Sequence, residues 1–367
     1  MALSPRFSPV SFDALAGWRE DACLPAFQAF RRSAEHAKTK PYKTGSLGVD
    51  AAAFEPAFAA SLSAQISDDV AARAFFEQWF IACRITAEDG SQGHVTSFYE
   101  PEARASSVRT DEFRFPMLAR PADLVDVTGA NRLSDMDPYL AFARQTDGGL
   151  VEYFDRAAIE QGALAGQGLE IAWLADRVDL FFIHVQGAAR LAMEDGSTRR
   201  VTYAAKSGQR FTGIGRWLLD QGELPKGGVS MQSIRTWLAS HPERQDEVFW
   251  QNRSFIFFRE TELGDLTLGP IAAAKVQLTA GRSIAVDRLL HTFATPFFID
   301  APDLTRFDGQ PFRRLMIAQD TGSAIVGPAR GDLFAGTGFA AGEIAGGVSE
   351  RADFYALIPR QLLDGTQ

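Results

Sequence analysis

Cysteine is scarce: Cys23 and Cys83 are the only two in 367 residues. Two thiols cannot complete a structural zinc site, and their wide separation excludes a CxxC redox motif. One disulfide or two buried thiols are equally compatible with the pair. Long apolar runs are lacking as well. None reaches the ~18–20 residues of a membrane span, and the most apolar stretch, Leu180 to Ala189, is broken by His184 and Gln186. The opening MALSPRFSPVSF has no apolar core of a signal peptide. Positive charge is in deficit, with Lys+Arg 37 against Asp+Glu 46 and a net charge of -9. An overall basic surface for phosphate backbones is therefore absent, which argues against nucleic acid as a partner. The five histidines are scattered without ligand spacing, and HExxH, GxSxG and EF-hand patterns are missing. Gly213-Ile214-Gly215 has no third glycine for a dinucleotide fold. Gly322 to Gly327 is followed by Pro328-Ala329, where a phosphate loop needs Lys-Ser/Thr. No metal and no cofactor is expected.

What is present describes a folded chain. A hydrophobic share of 46% and a charged share of 23% exclude wholesale disorder. The length suggests two or three domains. Phe 29 against Tyr 6 and Trp 6 indicates sheet interiors rich in phenylalanine.

Helical spacing of apolar residues covers Phe12 to Asp21, Leu24 to His36, Ala51 to Gln65 and Asp68 to Ala82. Strands are expected at Arg84–Thr86 and His94–Tyr99 around the Asp89-Gly90 turn. In the middle, Leu180–Gln186, Arg200–Tyr203 and Phe255–Phe258 read as strands, and Ile214–Leu219 and Met231–Leu238 as helices. The last hundred residues hold short pieces between turns: Val276–Leu278, Ser283–Val286, Pro296–Ile299, Leu315–Ala318, Ala324–Val326, Leu333–Phe334 and Phe354–Ile358. Close-spaced strands of this kind argue a barrel or sandwich. The shifts in character near 105–110 and 260 hint that the middle is inserted between two halves of one domain.

The informative stretch is Ile317 to Gly347. Asp320 ends an apolar strand, Asp332 opens another apolar piece, and upstream Asp287 ends a third strand. Three strand ends could aim their carboxylates at one place, where low dielectric would raise one pKa and make a general acid. The glycines around them allow close backbone approach to a polar substrate. On local pattern alone, turn aspartates explain the same residues at least as well.

Resemblance adds weight. Ala285–Asp287 (AVD), Ala318–Gly327 (AQDTGSAIVG) and Gly331–Gly338 (GDLFAGTG) resemble the three-aspartate, or 3D, signature of the MltA family of lytic murein transglycosylases. Thr96 to Pro101 (TSFYEP) resembles the family's TGYYxP, and His184 to Ala189 (HVQGAA) its HxQGSG. Further matches fall in order, so the similarity spans roughly residues 85–360. Departures stand at Ala188, Ala189, Ser207 and Val326.

The resemblance implies a mainly β fold with appended helices. Residues 1–105 and 260–367 would form a double-psi β-barrel domain, with 106–259 as an inserted β-rich domain and a glycan groove between the two. It implies cleavage of the MurNAc-β-1,4-GlcNAc bond of peptidoglycan with a 1,6-anhydro product. Asp332 would be the single acid/base, Asp320 its neighbour and Asp287 a structural or orienting third. A neighbouring carboxylate is expected to raise Asp332's pKa. Thr96, Tyr99, Gln186, Gly187 and Gly338 would meet the sugar, with Lys206 a further possibility for the lactyl carboxylate. The family context implies a periplasmic, outer-membrane-associated monomer acting on glycan strands. Two rival readings are a two-carboxylate hydrolase drawing on Glu100, Glu102 or Glu343, and an inactive glycan-binding module.

Overall fold

The computed structural model describes residues 3–364; Met1, Ala2 and residues 365–367, which the expected domain bounds include, lie outside the described residues. The chain divides into two compact units, Met1–Tyr99 with Gly264–Gln367, and Glu100–Leu263.

Seven strands organise the first unit: β1 (Phe80–Ile85), β2 (Gly93–Glu100), β3 (Ser283–Val286), β4 (Pro296–Ala301), β5 (Phe312–Asp320), β6 (Arg330–Thr337) and β7 (Ser349–Pro359). Their order is β1-β7-β4-β5-β3-β6-β2, and a further pairing of β7 with β2 closes six of them into a ring. The closure works because β7 is 11 residues long. Its first residues pair with β2 and its later ones with β4 and β1. A closed ring gives each of the six strands a partner on both sides.

Three helices precede the ring: α1 (Leu24–Ala37), α2 (Glu55–Ser63) and α3 (Asp69–Trp79). Asp68 caps α3 by accepting from Ala71 N–H. Asp69 reaches across to cap α1, accepting from Leu24 N–H at 2.8 Å. The abundance of phenylalanine finds its place here. Phe30 stands among Phe58, Phe75, Phe76 and Phe80 with centroids 5.2–6.0 Å apart, mostly in edge or tilted contact. Buried Gln319 on β5 donates to Ala29 O and Ser33 Oγ, both at 2.8 Å, which locks α1 onto the strand that ends in Asp320.

The second unit has a six-stranded sheet and a separate three-stranded one. Its entering residue, Glu100, and Arg200 are both fully buried and paired at 2.8 Å. Arg200 also donates to the carbonyl of Leu263 at 2.5 Å, the last residue of the unit.

Several expected elements differ. Leu180–Gln186 is helical, within Arg177–Gln186. Five consecutive buried residues, Leu180 to His184, carry no period to separate helix from strand. The local chemistry decides it: Asp176 accepts from Val178 and Asp179 N–H, and Gly187, at φ 77°, ends the helix left-handed. The expected helix to Ala82 stops at Trp79, because Phe80–Ile85 is taken by pairing with β7. Between Phe12 and Asp21 only Phe12–Ala14 forms a helical turn. Ala324–Val326 lies in a turn, with Ile325 N–H bonded to Gly322 O. Val276–Leu278 contributes a single bridge at Gln277 rather than a strand. Cys23 and Cys83 are free and buried; burial pushes each thiol up to about 12.

Candidate active site

β3 is the ruler of the site. Its Ala285 pairs with Asp320 of β5 on one side and with Asp332 of β6 on the other. Residues directly opposite in a ladder project to one face. The two carboxylates therefore flank the small Ala285, with backbones two strand spacings, about 10 Å, apart. A register shift between Ile284 and Ala285 is what lets Asp320 join that row.

Burial raises the pKa of Asp332, while hydrogen bonding from Thr96 and the charge of Arg330 oppose the rise. The Thr96 hydroxyl donates to Oδ1 of Asp332. Arg330 Nη2 donates to the same Thr96 oxygen at 2.7 Å. Arg330 Nη1 is held by the carbonyl of Gly331. Beside them Ser97 Oγ donates to Leu333 O at 2.6 Å, which fastens β2 to β6 next to the acid.

Asp320 is raised to about 6, by burial first, with N–H groups of Thr321 and Ala273 opposing and Asp332's charge adding to the rise. The expected neighbour effect is thus felt at Asp320, whereas Asp332 is raised by burial. Asp287 does not join the pair. Its carboxylate accepts from Leu289 N–H and Gly327 N–H, both at 3.0 Å, so it ties two loops together.

The remaining expected contacts divide by unit. Tyr99 is buried, 6% exposed, and its ring fills the space that a Cβ on Gly342 would occupy, only 2.9 Å away. Gly342 lies on α4 (Phe339–Ala345). Tyr99, expected to meet the sugar, is thus packed against α4. Thr96 is engaged by the acid rather than held open for sugar. Gly338 is the N-cap of α4 at φ 86°, a backbone that a side chain rarely adopts.

In the second unit, Gln186 is the half-buried last residue of its helix and Gly187 its cap. Lys206 Nζ lies 4.9 Å from the Tyr139 ring centroid. Arg330, which sequence reasoning missed, is the residue that bonds the Thr96 hydroxyl; two positions before Asp332, it carries no motif. Among the described residues no group of His, Cys, Asp and Glu could hold a metal ion. None of their helices is long and apolar enough to cross a membrane.

A half-buried carboxyl that shares a strand row with a second one, with one oxygen already bonded, has the equipment for general acid–base work on a neutral polar bond. Comparison with known proteins adds context. The MltA specific insert domain matches residues 94–259 and the 3D domain residues 282–358. A membrane-bound lytic murein transglycosylase from Agrobacterium tumefaciens, solved by crystallography, is similar. It has 50% identity and TM-score 0.92, with 98% of this chain and 99% of that one covered. E. coli MltA crystallised with chitohexaose has 25% identity and TM-score 0.72 over 98% and 96% of the two chains. The curated membrane-bound lytic murein transglycosylase A of Escherichia coli K12 is 32% identical over 265 residues, 71% of this chain. That match spans 64% of the relative's own length. The sheet-rich architecture with helices is that of the solved relatives.

Proposed function

Since the chain belongs to the MltA family of lytic murein transglycosylases, we propose that it cleaves the MurNAc-β-1,4-GlcNAc bond of peptidoglycan and leaves a 1,6-anhydro ring. Asp332 is the acid/base. Its carboxyl gives a proton to the bridging oxygen as the bond to C1 breaks. The resulting carboxylate takes the proton of the muramyl 6-hydroxyl as that oxygen bonds C1. No water enters, and one carboxyl group serves both steps, unlike the two of ordinary glycosidases.

The observation that carries this reading is the placing of half-buried Asp332 across Ala285 from Asp320, with one oxygen bonded by Thr96 and a pKa raised by its surroundings against the pull of Thr96 and Arg330. Asp320, raised to about 6, supports it as the neighbour whose charge state answers that of the acid. A hydrolase would need a second working carboxylate. Glu100, one of the residues able to supply it, is committed to a buried ion pair with Arg200.

In this reading the six-strand ring is a double-psi β-barrel, and Gln186 and Gly187 contribute sugar contacts from the inserted domain. The protein acts as a monomer on glycan strands in the periplasm, associated with the outer membrane as the relatives' description "membrane-bound" suggests. Mass spectrometry of muropeptides released from purified sacculi tests it, with wild type and Asp332→Ala side by side. Products one water lighter than reducing muropeptides, absent with the variant, are expected. Reducing-end products would move the assignment to a hydrolase.

A further inference from the structure

We propose that Arg330 is a positioning residue that works through Thr96: it compels the Thr96 hydroxyl to donate to Oδ1 of Asp332 and so reserves Oδ2 as the oxygen that delivers the proton. The inference rests on Asp332 being the acid, and adds which oxygen acts and what holds it.

The argument is one of donors and acceptors. A guanidinium only donates, whereas a hydroxyl has one hydrogen and two lone pairs. Arg330 Nη2, 2.7 Å from Thr96 Oγ1, occupies a lone pair and leaves the hydroxyl its hydrogen to place. That hydrogen faces Oδ1 of Asp332. In the protonated acid, the oxygen that accepts is the carbonyl-like one, so the proton resides on Oδ2. In the carboxylate, the same bond persists. The hydroxyl therefore need not turn during the cycle, and no reorganisation is charged to the reacting step. The proton leaves Oδ2 for the bridging oxygen, and the proton of the 6-hydroxyl returns to Oδ2; Asp332 ends as it began.

The guanidinium is itself fixed, since Nη1 holds the carbonyl of Gly331 on its own strand. The Ser97 to Leu333 bond fixes Thr96 in register beside it. Ionisable groups on neighbouring elements include Asp320 on β5, His94 on β2, Glu350 and Arg351 on β7, Glu343 on α4 and Asp287 just past β3. Of these, Asp320 interacts with Asp332, and His94 is held down by burial and by Arg330 and Arg351. Loss of Arg330 or of the Thr96 hydroxyl removes an influence that favours ionised Asp332. The acid then stays protonated to higher pH.

The test combines sacculus digestion with carboxyl titration. Arg330→Met and Thr96→Val should each lower kcat about 10- to 100-fold with little change in KM. The alkaline limb of the pH–rate profile should move to higher pH in both. The double variant should be no worse than either single one, because both break one chain. Thr96→Ser, which keeps the hydroxyl, should restore activity, and Arg330→Lys should restore part of it. Additive losses with an unmoved alkaline limb would overturn the proposal.

Carbon-13 labelling of aspartate carboxyls, with Asp332 assigned by difference against Asp332→Asn, gives a readout independent of turnover. Its midpoint should rise in Arg330→Met. If wild type releases no anhydro products yet the midpoint rises, the function is wrong and the positioning stands. If anhydro products form and the midpoint does not move, the positioning role is refuted.

Discussion

Glu100 in the second unit is fully buried and Asp332 in the first half-buried, each close to an arginine, yet they are solvated by the protein in opposite ways. Glu100 meets Arg200 directly, at 2.8 Å through Nε and 3.1 Å through Nη2, with Arg190 at 3.6 Å. Its negative charge is matched and overmatched. Asp332 meets its guanidinium only through a threonine hydroxyl, and shares its strand row with another carboxyl. A matched carboxylate is committed to its ion pair and serves to hold structure together. An undermatched one stays poised between two states, which general acid catalysis requires. The same residue chemistry thus gives a rivet in one unit and, under the proposed function, a reagent in the other.

The largest effect should come from exchanging the roles. Asp332→Asn removes the reagent and should cut release of anhydro muropeptides by about 10²–10⁴-fold. Its thermal midpoint should be no lower than that of wild type. A variant that loses stability in step with activity would mean that Asp332 is a rivet as well.

Arg200→Met does the converse. It leaves Glu100 buried with incomplete pairing and should cost about 3–5 kcal/mol in urea unfolding. A cost under about 1 kcal/mol would erase the distinction drawn here.

Asp320→Asn probes the poised pair from its other side. Asp320 is raised in the fold to about 6 from the ordinary carboxylate value of 3.8, so the folded protein binds the extra proton between those values. Stability is therefore lost as pH rises through that window, and the full cost of ionisation is present above it. The asparagine variant escapes that cost and keeps an oxygen for the Ala273 N–H that Asp320 accepts. It should be more stable than wild type by about 1–2 kcal/mol at neutral pH, after allowance for partial solvent screening. The gain should vanish as pH falls below 4, in paired unfolding curves. An equal gain at both pH values would mean that ionisation is not its source.

The smallest effect concerns His184 of the second unit. Burial first, then the charge of Arg156, holds its pKa well below 6.5. Its Nδ1 lies 3.2 Å from Arg156 Nη2. The unfolded chain takes up a proton below 6.5 that the fold refuses, so stability falls as pH drops from that value. Between pH 7 and 6 the loss should be under about 1 kcal/mol, and His184→Leu should flatten it. An unchanged slope would remove His184 from this picture.

The strand ends bearing aspartates were legible in the sequence because a strand is a short local object and its terminal residue is visible in the pattern. Ser283–Val286 is a strand as expected, and β5 and β6 extend the expected cores outward. The convergence of Asp320 and Asp332 was inferable only as one option among turns, since the Ala285 register that aligns them is a long-range pairing. Arg330 was not legible. Its partner Thr96 lies 234 residues away in the chain, and an arginine two places before an aspartate has no pattern of its own. Asp287 was read as part of the cluster on the strength of its strand end. The backbone N–H groups that absorb its carboxylate belong to loops, one of which had been read as the strand Ala324–Val326. The helix Arg177–Gln186 was not legible because five consecutive buried residues erase periodicity, although Asp176 and Gly187 mark its two ends.

Arg200 has a topological consequence as well as an electrostatic one. A single side chain bonds Glu100, where the chain passes into the second unit, and the carbonyl of Leu263, where it leaves. The two crossing points of that unit are therefore within one guanidinium's reach of each other. A segment whose ends meet so closely can be removed as a cassette, and a short flexible bridge from 99 to 264 would span the gap it leaves. In the same way the segment could be replaced by any other whose termini lie as near. The fold thus carries its own cut-and-join position, marked by one buried arginine.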